Sequence, residues 1–340
     1  MYDNGQGVAQ DDRQAFYWYA LAAEQGDADA QNSLGVMYDN GRGMAQDYKQ
    51  AAHWFALAAK QGHATAQSNL GLMYANGQGV TQNYKQAVHW FELAAKQENA
   101  DGQFNLGVMY DNGQGVAQDD KQAFHWYDFA AKQGHARAQF NLGAMYEYGQ
   151  GVMQDDKQAF HWYELATKQG NAIAQTKLGV MYADGRGVAQ DDKQAFYWYA
   201  IAAKQGNAIA QTKLGLMYYN GRGVAQDDKQ AFHWFSLAAK QEESYAQSNL
   251  GFMYQNGRGV AQNYKQAIHW YKLAAKQGNP VAQSNLGFMY QHGLGVKADK
   301  QKAQYWRQQA AEQNYRNYID LFNRWQSPSF TRRLFYDLNN

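Results

Sequence analysis

The stretch Leu34-Gly35-Val36-Met37-Tyr38, followed by Asn40-Gly41-Arg42-Gly43 and then by His53-Trp54-Phe55, decides the fold of this chain. The stretch returns every 36 residues without a register slip. The Met-Tyr pair begins at residues 1, 37, 73, 109, 145, 181, 217, 253 and 289. A tryptophan follows at residues 18, 54, 90, 126, 162, 198, 234, 270 and 306. A fixed period of about 20 to 50 residues is typical of a stacked repeat array, which is therefore predicted here.

The composition removes several classes of function. The formal charge of +1, with acidic and basic residues interspersed, predicts no field that would concentrate nucleic acid or an anionic membrane. The absence of cysteine excludes disulfides, thiolate catalysis and cysteine zinc sites. No apolar run approaches the roughly 18 to 20 residues of a membrane span. We therefore expect no nucleic-acid partner, no membrane insertion and no cofactor.

Each repeat divides into two predicted helices, which we call helix A and helix B. In the unit from 27 to 62, apolar residues at helical spacing predict helix A, which ends at Asn40-Gly41. Helix B begins at Asp47, whose carboxylate caps backbone amides while Gln50 reaches back in a capping box. It ends at Lys60-Gln61-Gly62, where glycine suits a left-handed cap. Two helices and two turns fill the period.

Three positions refine these boundaries. Pro280 follows Asn279 in the last copy and predicts that Asn279 caps a helix A whose first residue is Pro280. Glu98 and Glu242 stand where Gly62 stands. Because a positive φ is unfavourable for residues other than glycine, these two joints are expected to use another turn.

The repeated pattern Ala-Gln-x-x-Leu-Gly-x-Met-Tyr, Gly-x-Gly-Val and Ala-x-x-Trp-Tyr-x-x-Ala-Ala-x-Gln-Gly resembles the Sel1-like repeat, a relative of the tetratricopeptide repeat. The resemblance covers residues 1–313, about nine units with the first one truncated. It implies an all-α fold, an α-solenoid of antiparallel helix pairs in a right-handed superhelix with helix A on the concave side. It also implies a role as an adaptor or scaffold for other proteins. The cysteine pairs of some bacterial relatives are absent here.

The two ends depart from the pattern. Residues 314–340 are predicted to form a capping helix and a tail, because Tyr315, Tyr318, Phe322 and Trp325 recur at helical spacing. Residues 1–5 match the end of a helix A, so Met1 is expected to be an internal methionine of a longer chain. No signal peptide is visible, and a cytoplasmic or an exported location both stay open. We expect a monomer unless the open N-terminal end self-associates.

Three repeated motifs are interpreted as structural. The Asn-Gly-x-Gly loops follow a helix and lack Lys-Ser/Thr, so they predict turns rather than phosphate sites. A histidine precedes the tryptophan in six copies, which predicts a packed or hydrogen-bonded position rather than a metal site. The tryptophans themselves are interpreted as buried packing. The six histidines are His53, His89, His125, His161, His233 and His269.

Catalytic motifs are missing from the sequence. Neither Ser-x-x-Lys nor His-Glu-x-x-His occurs, and paired aspartates such as Asp155-Asp156 recur as helix caps. The protein is therefore predicted not to be an enzyme. Two alternatives stay open: a cell-wall or β-lactam-related activity of the kind attributed to some bacterial relatives, and RNA binding by helical repeats.

Comparison among the copies separates scaffold from surface. Along helix A the copies differ at the positions of Asp29, Asn32, Val36 and Asp39, which share one helical face. Acidic residues gather in the first half of the array and aromatic residues in the second. This predicts a groove that binds a protein or peptide segment with basic and apolar portions. The predicted contact residues are Asp29, Asp39, Asp101, Asp111, Arg137, Glu147, Tyr219, Tyr245, Phe252 and Phe288.

Overall fold

The computed structural model describes residues 10–324, and of these the side chains up to residue 313. This part of the chain is all helical, with seventeen helices and no strand. The chain divides into two compact units, Met1–Asp155 and Asp156–Asn340. Consecutive helices pack against each other within each unit. The predicted all-α repeat solenoid is confirmed.

The first unit contains eight described helices, and the even-numbered ones are the A helices. They are α1 (Asp12–Glu24), α2 (Ala28–Asn40), α3 (Tyr48–Lys60), α4 (Ala64–Asn76), α5 (Tyr84–Lys96), α6 (Ala100–Asn112), α7 (Asp120–Lys132) and α8 (Ala136–Tyr148).

The second unit contains nine described helices, and again the odd-numbered ones are the B helices. They are α9 (Asp156–Thr167), α10 (Ala172–Asp184), α11 (Asp192–Lys204), α12 (Ala208–Asn220), α13 (Asp228–Lys240), α14 (Ser244–Asn256), α15 (Tyr264–Lys276), α16 (Pro280–His292) and α17 (Lys300–Arg324).

The last B helix runs further than its equivalents. Helix α17 continues without interruption from Lys300 to Arg324, so there is no break at residue 313. The separate helix expected after residue 313 is, as far as residue 324, a continuation of α17. Trp325 and the predicted tail lie outside the described residues.

The predicted N-cap residues begin the helices, but the capping box does not form at Asp47, because its backbone amide donates to the carbonyl of Tyr38 at 2.9 Å instead of to Gln50. Asp47 Oδ1 accepts hydrogen bonds from the backbone amides of Lys49 at 2.9 Å and Gln50 at 3.1 Å. Asn279 Oδ1 accepts from the backbone amide of Ala282 at 3.0 Å, and Pro280 occupies the first turn. These side chains accept hydrogen bonds from backbone amides that have no partner within the helix, and this explains why the helices begin at these residues.

The loop after each A helix depends on a close backbone approach. Gly41 ends α2 in the left-handed conformation, with φ 66°. Gly43 also has a positive φ, and a Cβ atom there would overlap the backbone of Asp12 in the preceding repeat. The second glycine of the motif therefore leaves room for the backbones of neighbouring repeats to approach closely. The interpretation of these loops as turns agrees with the structure.

The expectation for Glu98 and Glu242 is wrong. Both residues adopt a positive φ, 59° and 64°, instead of a different turn. The backbone amide of Asn99 donates to the carbonyl of Ala94 at 3.1 Å. The backbone amide of His63 makes the equivalent bond to Ala58 at 3.1 Å in the repeat that has Gly62 at this turn. The backbone hydrogen bonds and the packing of the flanking helices keep the turn, and the glutamates bear the conformational cost.

The core of each helix pair lies where an A helix meets the following B helix. A Cβ atom on Gly35 would lie 2.6 Å from Cδ1 of Phe55, so glycine lets the ring of α3 contact the backbone of α2. The same contact recurs between Gly107 and Tyr127. The lack of a side chain at this position in each repeat therefore determines how closely the two helices approach.

The tryptophans are less buried than predicted. Trp162 is buried, but Trp54, Trp126 and most of the others are half-buried, and Trp18 is 55% exposed. Trp126 packs against the core formed by α5 and α6, so it joins α7 to the preceding repeat. Its role is packing, as expected, but at the edge of the core.

A buried glutamine in the A helices links three helices at once. Gln67 Nε2 donates to the carbonyl of Ala59 at 3.1 Å, and Gln67 Oε1 accepts from Gln97 Nε2 at 2.7 Å. Its amide thus joins the end of α3 to the end of α5. We call this series the glutamine ladder. Equivalent side-chain pairs are Gln61–Gln31, Gln133–Gln103, Gln205–Gln175, Gln241–Gln211 and Gln277–Gln247.

Candidate protein-binding surface

The variable face of the A helices is only partly open to solvent. In α14, Tyr245 and Phe252 are exposed, whereas Ser248, which lies between them on the helix, is buried. In α2, Asp29 is exposed and Asn32, Val36 and Asp39 are half-buried. One edge of the predicted face, marked by Tyr245 and Phe252 two helical turns apart, is therefore accessible, whereas the edge marked by Ser248 is buried. We call the accessible edge of an A helix its rim.

Two of the predicted aspartates in the first unit are held by histidines. His63 Nδ1 accepts from the backbone amide of Ala66 at 3.1 Å, and its Nε2 lies 3.1 Å from Asp29 Oδ1. Asp29 nevertheless keeps 92% of its side chain exposed. In this geometry the histidine caps α4 and orients an acidic group of α2 without hiding it.

The second aspartate repeats this arrangement two repeats further on. His135 caps α8 through Nδ1, and its Nε2 lies 3.2 Å from Asp101 Oδ1. The hydrogen bond from His135 lowers the pKa of Asp101 below its ordinary value. Asp101 is therefore a carboxylate over a wide pH range, positioned to meet a basic partner.

The other two predicted aspartates sit deeper. Asp39 is half-buried, and desolvation raises the pKa of its carboxyl. Asp111 Oδ2 accepts a hydrogen bond from the hydroxyl of Tyr127 at 3.3 Å. Both carboxylates are half-buried and therefore present less of their charge to solvent than Asp29 does.

Arg137 and Glu147 differ from each other in exposure. Arg137 is exposed, and its guanidinium lies 4.6 Å from the centre of the Phe104 ring, which is buried. Glu147 is only 5% exposed, so its side chain is not accessible on this face. It occupies the position of Asp39 in its repeat, but the surrounding helices cover it.

Two of the predicted aromatic residues of the second unit, Tyr219 and Phe252, lie side by side. The rings of Tyr219 and Phe252 are 6.2 Å apart, and the guanidinium of Arg258 lies 3.9 Å from the centre of the Tyr219 ring. Arg258 also donates to both carboxylate oxygens of Asp228, at 2.8 and 2.9 Å. This fixed ion pair holds the Tyr219 ring from one side.

Further apolar side chains extend this surface. Tyr245 is 59% exposed, and Phe288 is exposed with its ring 4.3 Å from His292. Ile209 and Val281, which occupy the same helix position as Tyr245 in neighbouring repeats, are exposed too. Sequence comparison showed both as variable positions but did not select them, because their apolar character becomes unusual only once their exposure is known.

The histidine column is not packed as predicted. The six side chains are exposed, and each ring contacts the adjacent tryptophan edge to face, as in His53 and Trp54 at 5.3 Å. These residues point away from the helix contacts because positions 51, 55 and 58 already fill the inner face of the B helix. Within the described part of the chain, no group of three His, Asp or Glu side chains could hold a metal ion.

The charge of the chain is not evenly distributed, in contrast to the expectation from its total. The first unit has nine lysines and arginines against seventeen aspartates and glutamates, a net charge of −8. The second unit has twenty-two against thirteen, a net charge of +9. The total of +1 hides this separation, which a count over halves of the sequence would have found.

The family follows from the whole length of the repeat pattern. The family model described as Sel1 repeat matches residues 1–27, 28–63, 64–99, 100–135, 136–171, 172–207, 208–242, 244–279 and 280–315. The chain belongs to the Sel1 repeat family. The predicted resemblance is thereby confirmed, and helices α1 to α16 each lie within one of these segments, whereas α17 extends beyond the last one.

Two solved Sel1 repeat structures are similar to this chain. A protective antigen of uropathogenic Escherichia coli with an SLR fold is 39% identical, with a TM-score of 0.81, and the match covers 88% of this chain and 64% of that one. The chain thus spans slightly less than two thirds of that protein. A Sel1 repeat protein from Oxalobacter formigenes is 32% identical, with a TM-score of 0.64, covering 95% and 90%.

No curated protein matches the chain. Sel1 repeat proteins generally act as protein-interaction scaffolds, and the family is mostly without enzymatic activity. Among the described residues of this Sel1 repeat protein, no helix is both long and apolar enough to cross a membrane.

Proposed function

We propose that this Sel1 repeat protein is an interaction scaffold that binds a protein or peptide segment on the exposed rims of its A helices. One observation carries the proposal: the A helices of the second unit expose a series of large apolar side chains. Exposed apolar side chains clustered on one face commonly mark a protein-interaction site. Aromatic residues of this kind also contribute most of the affinity in many interfaces. The series consists of Ile209, Tyr245, Phe252, Val281 and Phe288.

The first unit supports a different part of the same proposal. Asp29 and Asp101 are exposed carboxylates at equivalent positions of α2 and α6, each oriented by a histidine cap. Exposed charges of one sign favour a partner of opposite charge and increase its rate of association. A segment bound by the first unit should therefore carry lysine or arginine, and one bound by the second should carry apolar side chains.

The proposal is tested by selecting peptides from a random display library on the intact chain. The selected peptides are then measured by calorimetry against Tyr245→Ala/Phe252→Ala. Loss of two anchoring rings should weaken apolar peptides by at least about tenfold, equivalent to about 1.4 kcal/mol. The control is Tyr305→Ala, which removes an equally exposed aromatic ring from a B helix.

Both variants should keep the circular dichroism spectrum of the parent, because the altered side chains are exposed. The proposal fails if the selected peptides bind the double variant and the parent equally well, or if Tyr305→Ala weakens them as much.

A further inference from the structure

We propose a second binding surface, on the B helices of the second unit, that takes an acidic polypeptide segment. The surface is a set of exposed lysines on α11, α13 and α15, which we call the lysine face. It is separate from the rims of the A helices, so its test can succeed or fail independently of the proposal above. The lysine face consists of Lys193, Lys204, Lys229, Lys240, Lys265, Lys272 and Lys276.

The clearest part of the lysine face lies on α15. Lys265, His269, Lys272 and Lys276 are spaced by four, three and four residues, which places them on one side of the helix. All four are exposed. At a rise of about 1.5 Å per residue, the outer two lysines lie roughly 16 Å apart. No aspartate or glutamate occurs between Tyr264 and Lys276, so the charge of α15 is unopposed within the helix.

The other two helices of the lysine face, α11 and α13, each contain one acidic residue, and both of these residues are already engaged. Asp192 pairs with Arg222 at 2.7 Å, and Asp228 pairs with Arg258 at 2.8 Å. In contrast, none of the seven lysines forms an ion pair with another described residue. The positive charge of this face is therefore available to a partner, and it adds to the net +9 of the unit.

The corresponding face of the first unit has a different character. Where α15 carries Lys272, α5 carries Glu92 and α7 carries Asp128, whose carboxylate lies 2.6 Å from Lys132 Nζ. An acidic residue thus neutralises part of the face in each of those repeats. The lysine face is a property of particular repeats rather than of the repeat pattern.

The chemistry of the face favours an acidic polypeptide over a phosphate polymer. The seven side chains are all lysines, whereas bidentate recognition of phosphate groups favours arginine. The chain as a whole, with a net charge of +1, also has little long-range attraction for a nucleic acid or an anionic membrane. A short acidic segment needs to meet only the second unit.

The experiment measures the anisotropy of a fluorescein-labelled decaglutamate peptide titrated with the full chain. The test variant is Lys272→Glu/Lys276→Glu, which uses residues that other repeats carry at these positions, Glu92 and Glu312. The matched control is Lys60→Glu/Lys96→Glu in the first unit, which changes the total charge by the same amount. Far-UV circular dichroism confirms that both variants fold.

The parent chain should bind decaglutamate, with an affinity that falls as salt rises above about 50 mM because exposed charges are screened. The test variant should bind at least about tenfold more weakly, and the control within about twofold. Tyr245→Ala/Phe252→Ala should bind like the parent.

Four results would overturn the proposal. They are absence of binding by the parent, equal weakening in test and control variants, tighter binding of decathymidylate, and tighter binding of vesicles of equimolar phosphatidylglycerol and phosphatidylcholine. Sedimentation velocity gives one further test. A salt-sensitive dimer that the test variant abolishes would also overturn the proposal, because it would identify a second copy of the chain as the occupant.

Discussion

Gln97 donates a hydrogen bond from Nε2 to Oε1 of Gln67 across 2.7 Å, and so connects the two helices of one repeat, α4 and α5. Gln67 in turn donates to the carbonyl of Ala59 at 3.1 Å. Because Gln67 is buried, water cannot replace these bonds when the amide is removed.

Gln67→Leu should therefore destabilise the protein by about 1 to 3 kcal/mol, since it leaves buried polar groups without partners. Urea unfolding followed by circular dichroism measures the change. Gln86→Leu, an exposed glutamine on α5, is the control and should have almost no effect. An equal loss of stability in both variants would show that the ladder contributes nothing specific.

Glycines of the repeat should tolerate substitution very unequally. A Cβ atom on Gly71 would lie 2.5 Å from Cε1 of Phe91, so Gly71→Ala must shift α4 away from α5. Overpacking of this kind typically costs about 1 to 3 kcal/mol. Gly62→Glu should cost only about 1 kcal/mol, because no atom lies within 4 Å of its Cβ and Glu98 occupies the equivalent turn. Thermal unfolding of the two variants distinguishes the cases, and a larger loss for Gly62→Glu would refute the account.

The position of a tryptophan in the array should determine how much it stabilises. Trp126 packs against the core of α5 and α6, whereas Trp18 is largely exposed. Trp126→Ala should destabilise by about 3 kcal/mol, the lower end for a large aromatic side chain because Trp126 is only half-buried. Trp18→Ala should cost less than about 1 kcal/mol. Calorimetric melts of both variants test this, and similar losses would contradict the assigned packing.

The buried tyrosines should make the protein sensitive to alkali. Burial raises the pKa of Tyr199 well above its ordinary value near 10. Above about pH 10 the unfolded chain loses this proton while the folded chain keeps it. Stability that is fully present below pH 10 is therefore lost as pH rises towards the folded pKa, by about 1 kcal/mol at pH 11 for each such group.

Tyr199→Phe should remove this part of the pH dependence without harming the packing, because Phe55, Phe91 and Phe235 occupy the same position in other repeats. Urea midpoints of the parent and the variant should be similar at pH 8, whereas at pH 11 the variant should unfold at the higher urea concentration. A difference that does not change with pH would exclude Tyr199 as a source.

Much of the fold was predictable because the chain contains nine versions of one unit. The glycine at 35, which is the same in every copy, indicated a close contact, and the position of Asp47, which is aspartate or asparagine in every copy, indicated a cap; the structure has both. Such comparison identifies which face of a helix is inward. It does not show how far a side chain is buried by neighbouring helices, and so Glu147 was predicted to lie on the surface although neighbouring helices cover it.

One further contact between repeats has a recognisable signature in the sequence. Arg42 pairs with Asp12, 30 residues earlier, and arginine recurs in this loop where the helix of the preceding repeat begins with aspartate. Where that helix begins with tyrosine, as at Tyr48 and Tyr264, the loop carries Gln78 or Leu294 instead. The pair of Asp120 and Gln150 is the exception, because here an aspartate is matched with glutamine instead of arginine. Paired differences among the repeats of one chain thus indicate which residues are in contact, as paired differences among homologues would.

The glutamine ladder also bears on how the length of such a protein can change. Each rung spans 30 residues inside a period of 36, and it uses only residues that every repeat supplies. Removal of residues 64–99 would bring Gln103 next to the carbonyl of Ala59, in the place that Gln67 now occupies. Whole repeats can therefore be gained or lost by recombination at any equivalent pair of positions within a unit, and the joint that forms is the same as the one that was cut.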